Sequence, residues 1–239
     1  MKIEIQPEIS IIIPTLNEEK YIGDTLKSIS RQKTKRKFEI IIADSYSTDK
    51  TREIAKKHGA RIVYAPRGII AVGRQKGCDA ARGKVLVHAS ADTVYARDWL
   101  EKLAEPILIG KAIAVCGRLL PYRGNVAENV FSLAIFEPLV RITYKLKIPF
   151  AAADNLAVKA DTYRKIGGFD TELVTGEDTD LIKRLSKIGR VIYAKDAVAR
   201  ISMRRARKWG YMKYLLFHNA NFLKMQFIGK CNKEYEAIR

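Results

Sequence analysis

The order of apolar segments in the first half of the chain is the strongest constraint on its fold. Residues 9–14 form an almost continuous apolar run, which is typical of a strand buried on both faces of a sheet. Similar short runs then alternate with stretches whose apolar residues recur at helical spacing. This alternation predicts βαβ units and therefore an α/β fold with a mostly parallel central sheet and helices on both faces.

The predicted strands and helices divide the chain into a regular first half and a less regular second half. Strands are predicted at residues 9–14, 38–43, 60–65, 84–88 and 112–116. Helices are predicted between them at residues 18–31, 48–58, 72–81 and 97–108. The second half is predicted to be mainly helical, at residues 126–147, 159–166, 178–188 and 204–227, with a break near Gly210.

Composition limits the class of protein and its partners. The 239 residues are 47% hydrophobic and 29% charged, as in a soluble globular protein. The net charge of +18 predicts an anionic partner, or reflects a lysine-rich surface of a heat-adapted protein. No zinc-finger or RNA-binding motif is found, so we predict no nucleic-acid partner. Three scattered cysteines, no signal-peptide pattern and no long apolar run predict a cytoplasmic protein.

Short polar and acidic side chains follow three of the predicted strands. Thr15 and Asn17 follow the first strand, Asp44 and Ser47 the second, and Asp92 the fourth. Ligands of open parallel sheets bind at the carboxyl ends of the strands. Most of these residues could instead cap the helices that follow. Capping does not explain Asp44, which precedes its predicted helix by several residues.

Five segments in order resemble glycosyltransferase family 2 of the GT-A fold. Residues 11–18 resemble its opening strand and nucleotide loop, and residues 44–51 its D-x-S-x-D-x-T signature. Residues 73–83 resemble its A-R-N-x-G…A-x-G segment. Residues 167–170 resemble its G-G-F-D turn, and residues 176–181 its E-D motif. The resemblance extends from about residue 9 to residue 210, and it implies a GT-A domain that transfers a sugar from a nucleotide sugar.

The resemblance also implies how the chain is organised and where the nucleotide binds. We expect one domain over residues 1–239, with a nucleotide-binding half (1–118), an acceptor-side half (119–200) and a basic amphipathic C-terminal segment (201–239). Asp44 is similar to a residue that accepts a hydrogen bond from the base, and Arg74 faces either the nucleotide or solvent. The residues expected around a UDP or GDP moiety are Pro14, Thr15, Asn17, Glu18, Asp44, Ser47, Arg74 and Ala91.

Asp92 is the candidate ligand for a divalent metal ion. The family usually has D-x-D at this point, and this chain has Ser90-Ala91-Asp92. The second aspartate is the usual ligand, so we expect Mg²⁺ or Mn²⁺ to bridge Asp92 and the two phosphates. The first carboxylate of the D-x-D pattern is replaced by Ser90. Alternatively, Asp92 caps a following helix.

Asp178 is the candidate general base. A hydroxyl that attacks the anomeric carbon must lose its proton, and a carboxylate at the site can accept it. We expect Glu177 beside it to raise its basicity by like-charge repulsion. Acidic residues also suit a helix N-terminus, and the two interpretations are compatible. A single displacement assisted by one base predicts inversion at the anomeric carbon.

Residues predicted to contact the acceptor or the diphosphate are Asn155, Arg204, Arg207 and Trp209. Residues 201–210 depart from the Q-x-x-R-W motif of processive members, which favours transfer of one sugar. Residues 211–228 combine aromatic and basic side chains, and residues 130–146 have similar character. They predict either a face for an anionic membrane or a packed core helix. His218 is assigned a structural role.

These patterns together predict transfer to a hydroxyl of a glycan or lipid-linked acceptor at the inner face of the cell membrane. Two alternatives are a polyprenyl-phosphate glycosyltransferase, whose nucleophile needs no base, and a non-catalytic sugar-nucleotide-binding protein. A nucleotidyltransferase or a Rossmann dehydrogenase would need a glycine-rich loop after the first strand, which this chain lacks.

Overall fold

The computed structural model describes residues 6–229 and 231 of the chain. Its strands are β1 (Ile9–Thr15), β2 (Phe38–Asp44), β3 (Arg61–Tyr64), β4 (Val85–His88), β5 (Thr93–Tyr95), β6 (Ala114–Pro121), β7 (Leu156–Lys159) and β8 (Val191–Ile201). Its helices are α1 (Ile22–Ser30), α2 (Thr51–Lys57), α3 (Ile70–Asp79), α4 (Trp99–Leu108), α5 (Val126–Phe131), α6 (Glu137–Lys145), α7 (Ala160–Lys165), α8 (Glu177–Ser186), α9 (Arg204–Trp209) and α10 (Tyr211–Phe227). A π-helical turn (Ser132–Phe136) joins α5 to α6.

All eight strands belong to one sheet, in the order β3-β2-β1-β4-β7-β6-β8-β5. Four neighbouring pairs are parallel, namely β1–β2, β1–β4, β2–β3 and β6–β8. The pairs β4–β7, β6–β7 and β5–β8 are antiparallel. The predicted α/β fold with a mostly parallel sheet is confirmed, and the structure adds antiparallel strands from the second half of the chain.

Three strands are absent from the sequence prediction. β5 has three residues and β7 has four, so neither is long enough to display a period. β8 has eleven residues, but its middle carries exposed Lys195 and Asp196 and its apolar positions are irregular. The prediction that residues 204–227 are helical with a break at Gly210 is correct, because Gly210 has a φ of 85° between α9 and α10.

The buried first strand places the core on both faces of the sheet. Every residue of β1 is buried except Pro14, as the apolar run predicts. On one face of the sheet, residues of β1 share a core cluster with α1 and α4, and on the other face with α3 and α8. Gly77 allows α3 to lie close to the sheet, since a Cβ there would be 2.4 Å from Cγ2 of Ile12. This close approach brings the start of α3 to the carboxyl end of β1.

Strands from both halves of the chain share the sheet, and the predicted extent of the domain remains a prediction. Residues 1–5 of the predicted domain, and residues 230 and 232–239 of the predicted C-terminal segment, lie outside the described residues. Within residues 6–229, no helix has both the length and the hydropathy needed to cross a bilayer.

Candidate active site

The ends of β1 and β2 are joined by hydrogen bonds around Asp44. The strand register places Thr15 beside Asp44, whose side chain is fully buried. Its Oδ2 accepts hydrogen bonds from Thr15 Oγ1 (2.9 Å) and Ser47 Oγ (2.5 Å), and its Oδ1 accepts one from the Ser47 backbone N–H (2.9 Å). Asp44 therefore positions the two loops, and these hydrogen bonds use three of the about four acceptor sites of its carboxylate.

The loops after β1 and β2 are bonded to each other, and this corrects the capping alternative. Helices α1 and α2 have no side-chain cap. Instead, Ser47 Oγ accepts a hydrogen bond from Asn17 N (2.9 Å), and Asn17 Oδ1 accepts one from Thr48 N (2.8 Å). Glu18 N donates to Thr51 Oγ1 at 2.8 Å. The predicted nucleotide-loop residues are thus brought together at the carboxyl ends of β1 and β2.

Pro14 and Ala91 form apolar parts of the same edge. A Cβ at Gly73 on α3 would lie 3.5 Å from the Pro14 Cβ, so Pro14 sits beside that helix. Ala91 is 5% exposed, and its carbonyl accepts a hydrogen bond from Thr25 Oγ1 at 2.7 Å. Ala91 is therefore held by α1, which fixes the backbone that carries Asp92.

Asp92 lies opposite the first loop, where Arg204 bridges it to Glu18. Arg204 Nε is 3.0 Å from Asp92 Oδ2, and Arg204 Nη2 is 2.7 Å from Glu18 Oε1. Burial raises the pKa of Asp92 to about 6, against the lowering effect of Arg204. The alternative that Asp92 caps a helix is wrong, because strand β5 follows it directly.

Arg74 is a buried residue of α3 that lies between the carboxylates of Asp154 and Glu177. Its side chain is only 3% exposed, which excludes the solvent-facing alternative. Its Nη1 donates to the Ala153 carbonyl at 3.0 Å. Its Nη2 lies 3.6 Å from Asp154 Oδ1, and its Nε lies 3.7 Å from Glu177 Oε1. The buried guanidinium therefore offsets the charge of one carboxylate in the loop before β7 and of another at the start of α8.

Glu177 and Asp178 begin α8 at the same edge of the sheet. Gly176 precedes them with a φ of 75°, which turns the chain into the helix. Asp178 Oδ2 accepts a hydrogen bond from Ala153 N at 3.2 Å. Burial raises the pKa of Asp178, and burial together with the charge of Asp178 raises the pKa of Glu177 to about 7. We predicted that like-charge repulsion from Glu177 raises the pKa of Asp178; burial is the main cause there, and the like-charge repulsion acts on Glu177 instead. The pair holds a proton near neutral pH.

Comparison with known protein families identifies the chain. The sequence model of the protein family described as "Glycosyl transferase family 2" matches residues 10–167, which is more than half of the chain. The chain belongs to glycosyl transferase family 2. It is a glycosyltransferase by family. The resemblance identified from five sequence segments is thereby confirmed.

Two relatives are about a quarter identical to this family 2 chain over the aligned residues. Glycosyltransferase AglE of Haloferax volcanii is 28% identical over 206 residues, which cover 80% of this chain and 66% of AglE. The succinoglycan biosynthesis protein ExoA of Rhizobium meliloti is 26% identical over 239 residues, covering 90% of this chain and 70% of ExoA. The chain thus spans about two thirds of the length of these relatives.

Solved structures share the GT-A fold. The mannosyltransferase PcManGT from Pyrobaculum calidifontis, in complex with GDP-Man and Mn²⁺, matches with a TM-score of 0.75 at 22% identity, over 95% of this chain and 64% of that one. S. aureus TarS in complex with UDP-GlcNAc matches with a TM-score of 0.65 at 21% identity, over 82% of this chain and 58% of that one. At these identities the likeness establishes the fold alone.

Among the four predicted acceptor or diphosphate residues of this family 2 chain, Arg204 is at the site and Asn155 is part of the framework. Asn155 is 1% exposed. Its Oδ1 accepts a hydrogen bond from Trp99 Nε1 (2.7 Å), and its Nδ2 donates to the carbonyls of Arg118 and Ala197, both at 2.9 Å. Its amide is used in joining strands, so the structure does not support the predicted ligand contact of Asn155.

Arg207 and Trp209 contact neighbouring helices rather than the carboxylates of the site. Arg207 pairs with Glu128 of α5 at 2.8 Å. The Trp209 ring packs edge-on against Phe217 of α10, with a centroid distance of 5.4 Å, and lies under Lys213 Nζ at 5.6 Å. The structure therefore gives these two residues a role in attaching α9 and α10, and it does not support their predicted contact with the acceptor.

Three residues at the site were missed or assigned elsewhere from the sequence. Asp154 accepts a hydrogen bond from Ser90 Oγ and lies beside Arg74. Tyr214 and His218 of α10 face the same charges: burial raises the pKa of Tyr214 to about 12, and burial lowers the pKa of His218 to about 4. Asp154 is the only acidic residue between Glu137 and Asp161, and that isolation is the one sequence signal that could have identified it.

The residues around Asp92 are suited to a divalent cation. Arg204 already brings a positive charge between Asp92 and Glu18. Glu18 Oε2 is buried and accepts no hydrogen bond within the described residues. Within those residues, no group of three or more His, Cys, Asp or Glu is arranged as a complete metal site. The protein part fits a cation whose remaining ligands are phosphate oxygens and water.

Proposed function

We propose that the chain transfers one sugar from a UDP- or GDP-sugar to a hydroxyl of a glycan or lipid-linked acceptor, with inversion at the anomeric carbon. The observation that carries this proposal is that Asp154 lies close to both Asp92 and Asp178, with Arg74 buried between Asp154 and Glu177. This arrangement offers both a place for a charged diphosphate and a base for the incoming hydroxyl.

The first two loops are suited to hold the nucleoside. Thr15, Asn17 and Ser47 are fixed by hydrogen bonds to one another's loops and to Asp44, so the pocket is formed before the donor binds. Arg204 lies at the border between this pocket and Asp92. Its guanidinium can turn from the carboxylates to a diphosphate, with which arginine makes paired hydrogen bonds.

Asp92 would hold the divalent cation, Mg²⁺ or Mn²⁺. PcManGT was solved with Mn²⁺ and GDP-Man, and glucosyl-3-phosphoglycerate synthase from Mycobacterium tuberculosis was solved with Mn²⁺ and UDP; the latter matches this chain with a TM-score of 0.61. When bound, such a cation offsets the negative charge that develops on the departing diphosphate. These structures support the proposed cofactor through the shared fold.

Asp178 is suited to accept the proton of the acceptor hydroxyl. The Ala153 N–H fixes its Oδ2, and burial raises its pKa toward the range in which a carboxylate is an effective base. Glu177 is more buried and lies beside Arg74, and the charge of Asp178 helps to raise its pKa. One base and one displacement give inversion.

A donor screen tests the proposal. The melting temperature of the chain is measured with UDP- and GDP-sugars, with and without MnCl₂, and release of UDP or GDP is then followed with the stabilising donor. We expect one nucleotide class to raise the melting temperature by several degrees at about 100 times its Kd, and more with Mn²⁺. Binding of neither class, and no release of UDP or GDP, would contradict the proposal.

The same assay distinguishes a hydroxyl acceptor from a polyprenyl phosphate, because only the hydroxyl has to lose a proton. A hydroxyl acceptor needs Asp178, whereas a polyprenyl phosphate is already ionised and has no proton to give. We propose the hydroxyl acceptor because the raised pKa of Asp178 suits a group that takes up a proton. Transfer to a polyprenyl phosphate that survives Asp178→Asn would favour the alternative.

We extend the proposal to an anionic membrane surface contacted by α5 and α6. The outward side of this helical segment has large apolar side chains that are each about half exposed or more: Val126, Val130, Leu133, Ile135, Leu139, Ile142 and Leu146. Its two acidic residues, Glu128 and Glu137, are turned inward and paired with arginines. The outward side therefore presents apolar residues together with exposed Arg141 and Lys145, which suits anionic lipid.

This face can be tested by changing one apolar residue. Leu139→Glu is expected to lower binding to phosphatidylserine-containing liposomes at low salt by about fivefold or more. The substitution places a negative charge next to the anionic lipid and removes an apolar side chain that would be buried in it. Co-sedimentation measures the bound fraction. Ile109→Glu, at a comparably exposed residue after α4, is the matched control. Equal binding of both variants would contradict a membrane face on this segment.

A further inference from the structure

The first aspartate of the family's D-x-D segment is replaced by Ser90 in this chain, and the structure brings another carboxylate to that place. Ser90 Oγ donates a hydrogen bond to Asp154 Oδ1. We propose that Asp154 supplies the carboxylate missing at position 90, and that Asp92 and Asp154 together hold the donor's divalent cation. This inference rests on the proposed function, and it assigns a role to a residue outside the family pattern.

The sheet register explains why residues so distant in sequence meet. Strands β4 and β7 are antiparallel neighbours, and His88 pairs with Leu156. Ser90 lies two residues after His88, and Asp154 lies two residues before Leu156. Continuing the antiparallel register beyond the last pair therefore places Ser90 opposite Asp154. A carboxylate at position 154 can thus occupy the neighbourhood that a carboxylate at position 90 would have occupied.

The local contacts fix Asp154 without burying it. Arg74 Nη2 lies 3.6 Å from Asp154 Oδ1, and the Asp154 backbone carbonyl accepts a hydrogen bond from Tyr95 Oη at 3.1 Å. The side chain is nevertheless 36% exposed. Its Oδ1 faces Ser90 and Arg74, while its Oδ2 accepts no hydrogen bond within the described residues. One carboxylate oxygen is therefore available to a ligand.

The charge balance of the site favours a cation beside Asp154. The site contains five carboxyl groups and three arginines, namely Glu18, Asp92, Asp154, Glu177, Asp178, Arg74, Arg204 and Arg205. A nucleoside diphosphate adds further negative charge to a partly buried space. Divalent cations with oxygen ligands bridge carboxylates and phosphates in such sites.

A buried polar group points to an anionic ligand at the same place. Arg74 is 2% exposed, and its Nε makes no hydrogen bond within residues 6–229 and 231. Its guanidinium lies between Asp154 and Glu177 without close hydrogen-bonding geometry to either. A diphosphate bound with its cation would supply acceptors for such N–H groups, which are costly to leave unpaired.

The test measures Mn²⁺ binding directly, by electron paramagnetic resonance of free Mn²⁺ and by calorimetry, in the presence of UDP and in the presence of GDP. Asp154→Asn is expected to weaken Mn²⁺ binding by about tenfold or more. The double variant Asp154→Asn with Ser90→Asp is expected to return the affinity to within about threefold of the parent chain. Asp161→Asn, whose side chain is 74% exposed on α7, is the matched control.

The outcomes separate this inference from the proposed function. Unchanged Mn²⁺ affinity in Asp154→Asn, or a loss that Ser90→Asp does not restore, overturns the role of Asp154. A parent chain that binds neither nucleotide nor Mn²⁺ overturns the proposed function itself. Asp154→Ala is measured in parallel, and melting curves of all variants are recorded, so that the result does not depend on the folding of one variant.

Discussion

Asp178→Asn is expected to lower the rate of sugar transfer to a hydroxyl acceptor by about 10²- to 10⁴-fold, the usual contribution of a general base. The asparagine keeps the size of the side chain and can still face the Ala153 N–H, so nucleotide binding should change little. Release of UDP or GDP with saturating donor and acceptor measures kcat. Donor Kd from a thermal-shift titration shows that the binding step is intact.

The pH profile adds a second readout for the base. The Glu177–Asp178 pair carries a proton near neutral pH, because burial raises both pKa values and that of Glu177 to about 7. Transfer by the parent chain should therefore rise with pH up to about 7 as the pair loses this proton, and Asp178→Asn should abolish that rise.

Asp180→Asn is the matched control for Asp178→Asn. It lies in the same first turn of α8, but its carboxylate pairs with Arg184 at 2.6 Å and does not face Ala153. We expect its transfer rate to stay within about threefold of the parent chain, since surface ion pairs contribute little. Equal losses of transfer rate in the two variants would mean that the loss comes from removing a negative charge at the start of α8, and not from removing a general base.

Asp92→Asn is expected to lower transfer by about 10³-fold, since a catalytic cation contributes several kcal/mol to the transition state. The loss should be accompanied by a much weaker response to added Mn²⁺. The measurement is the rate of UDP or GDP release as a function of MnCl₂ concentration, with the donor held at saturation.

Arg204 requires a control in that experiment, because Asp92→Asn also removes its partner. Arg204→Lys changes the arginine itself and leaves both carboxylates, Asp92 and Glu18, unchanged. If disturbance of Arg204 were the cause, Arg204→Lys would reproduce the altered Mn²⁺ response. An Asp92→Asn variant that responds to Mn²⁺ like the parent chain would show that the cation is held elsewhere.

Much of the first half of the fold was predictable from local pattern. A strand buried on both faces has an apolar run with no alternation, and residues 9–14 have that pattern. The short strands β5 and β7 have no such signature, because three or four residues cannot show a period. Antiparallel pairing of β7 with β4 depends on contacts between distant parts of the chain.

The candidate site shows the same division. The acidic residues after β1, β2 and β4, and the pair at the start of α8, were identifiable because residue type, order and spacing resemble the family. Asn155, Arg207 and Trp209 also looked suitable by type, yet their partners are Trp99, Glu128 and Phe217. Whether a polar side chain faces a ligand or the framework depends on neighbours that sequence order does not identify.

The sequence by itself determined the alternating elements, the family and the carboxylates expected to hold a cation and accept a proton, because each depends on local period or on a short motif. Only the tertiary structure decided that Arg74 is buried between two loops, that Arg204 bridges Glu18 and Asp92, and that Asp154 faces Ser90. These contacts join residues 64 to 186 positions apart, and such pairings arise from sheet register and helix packing.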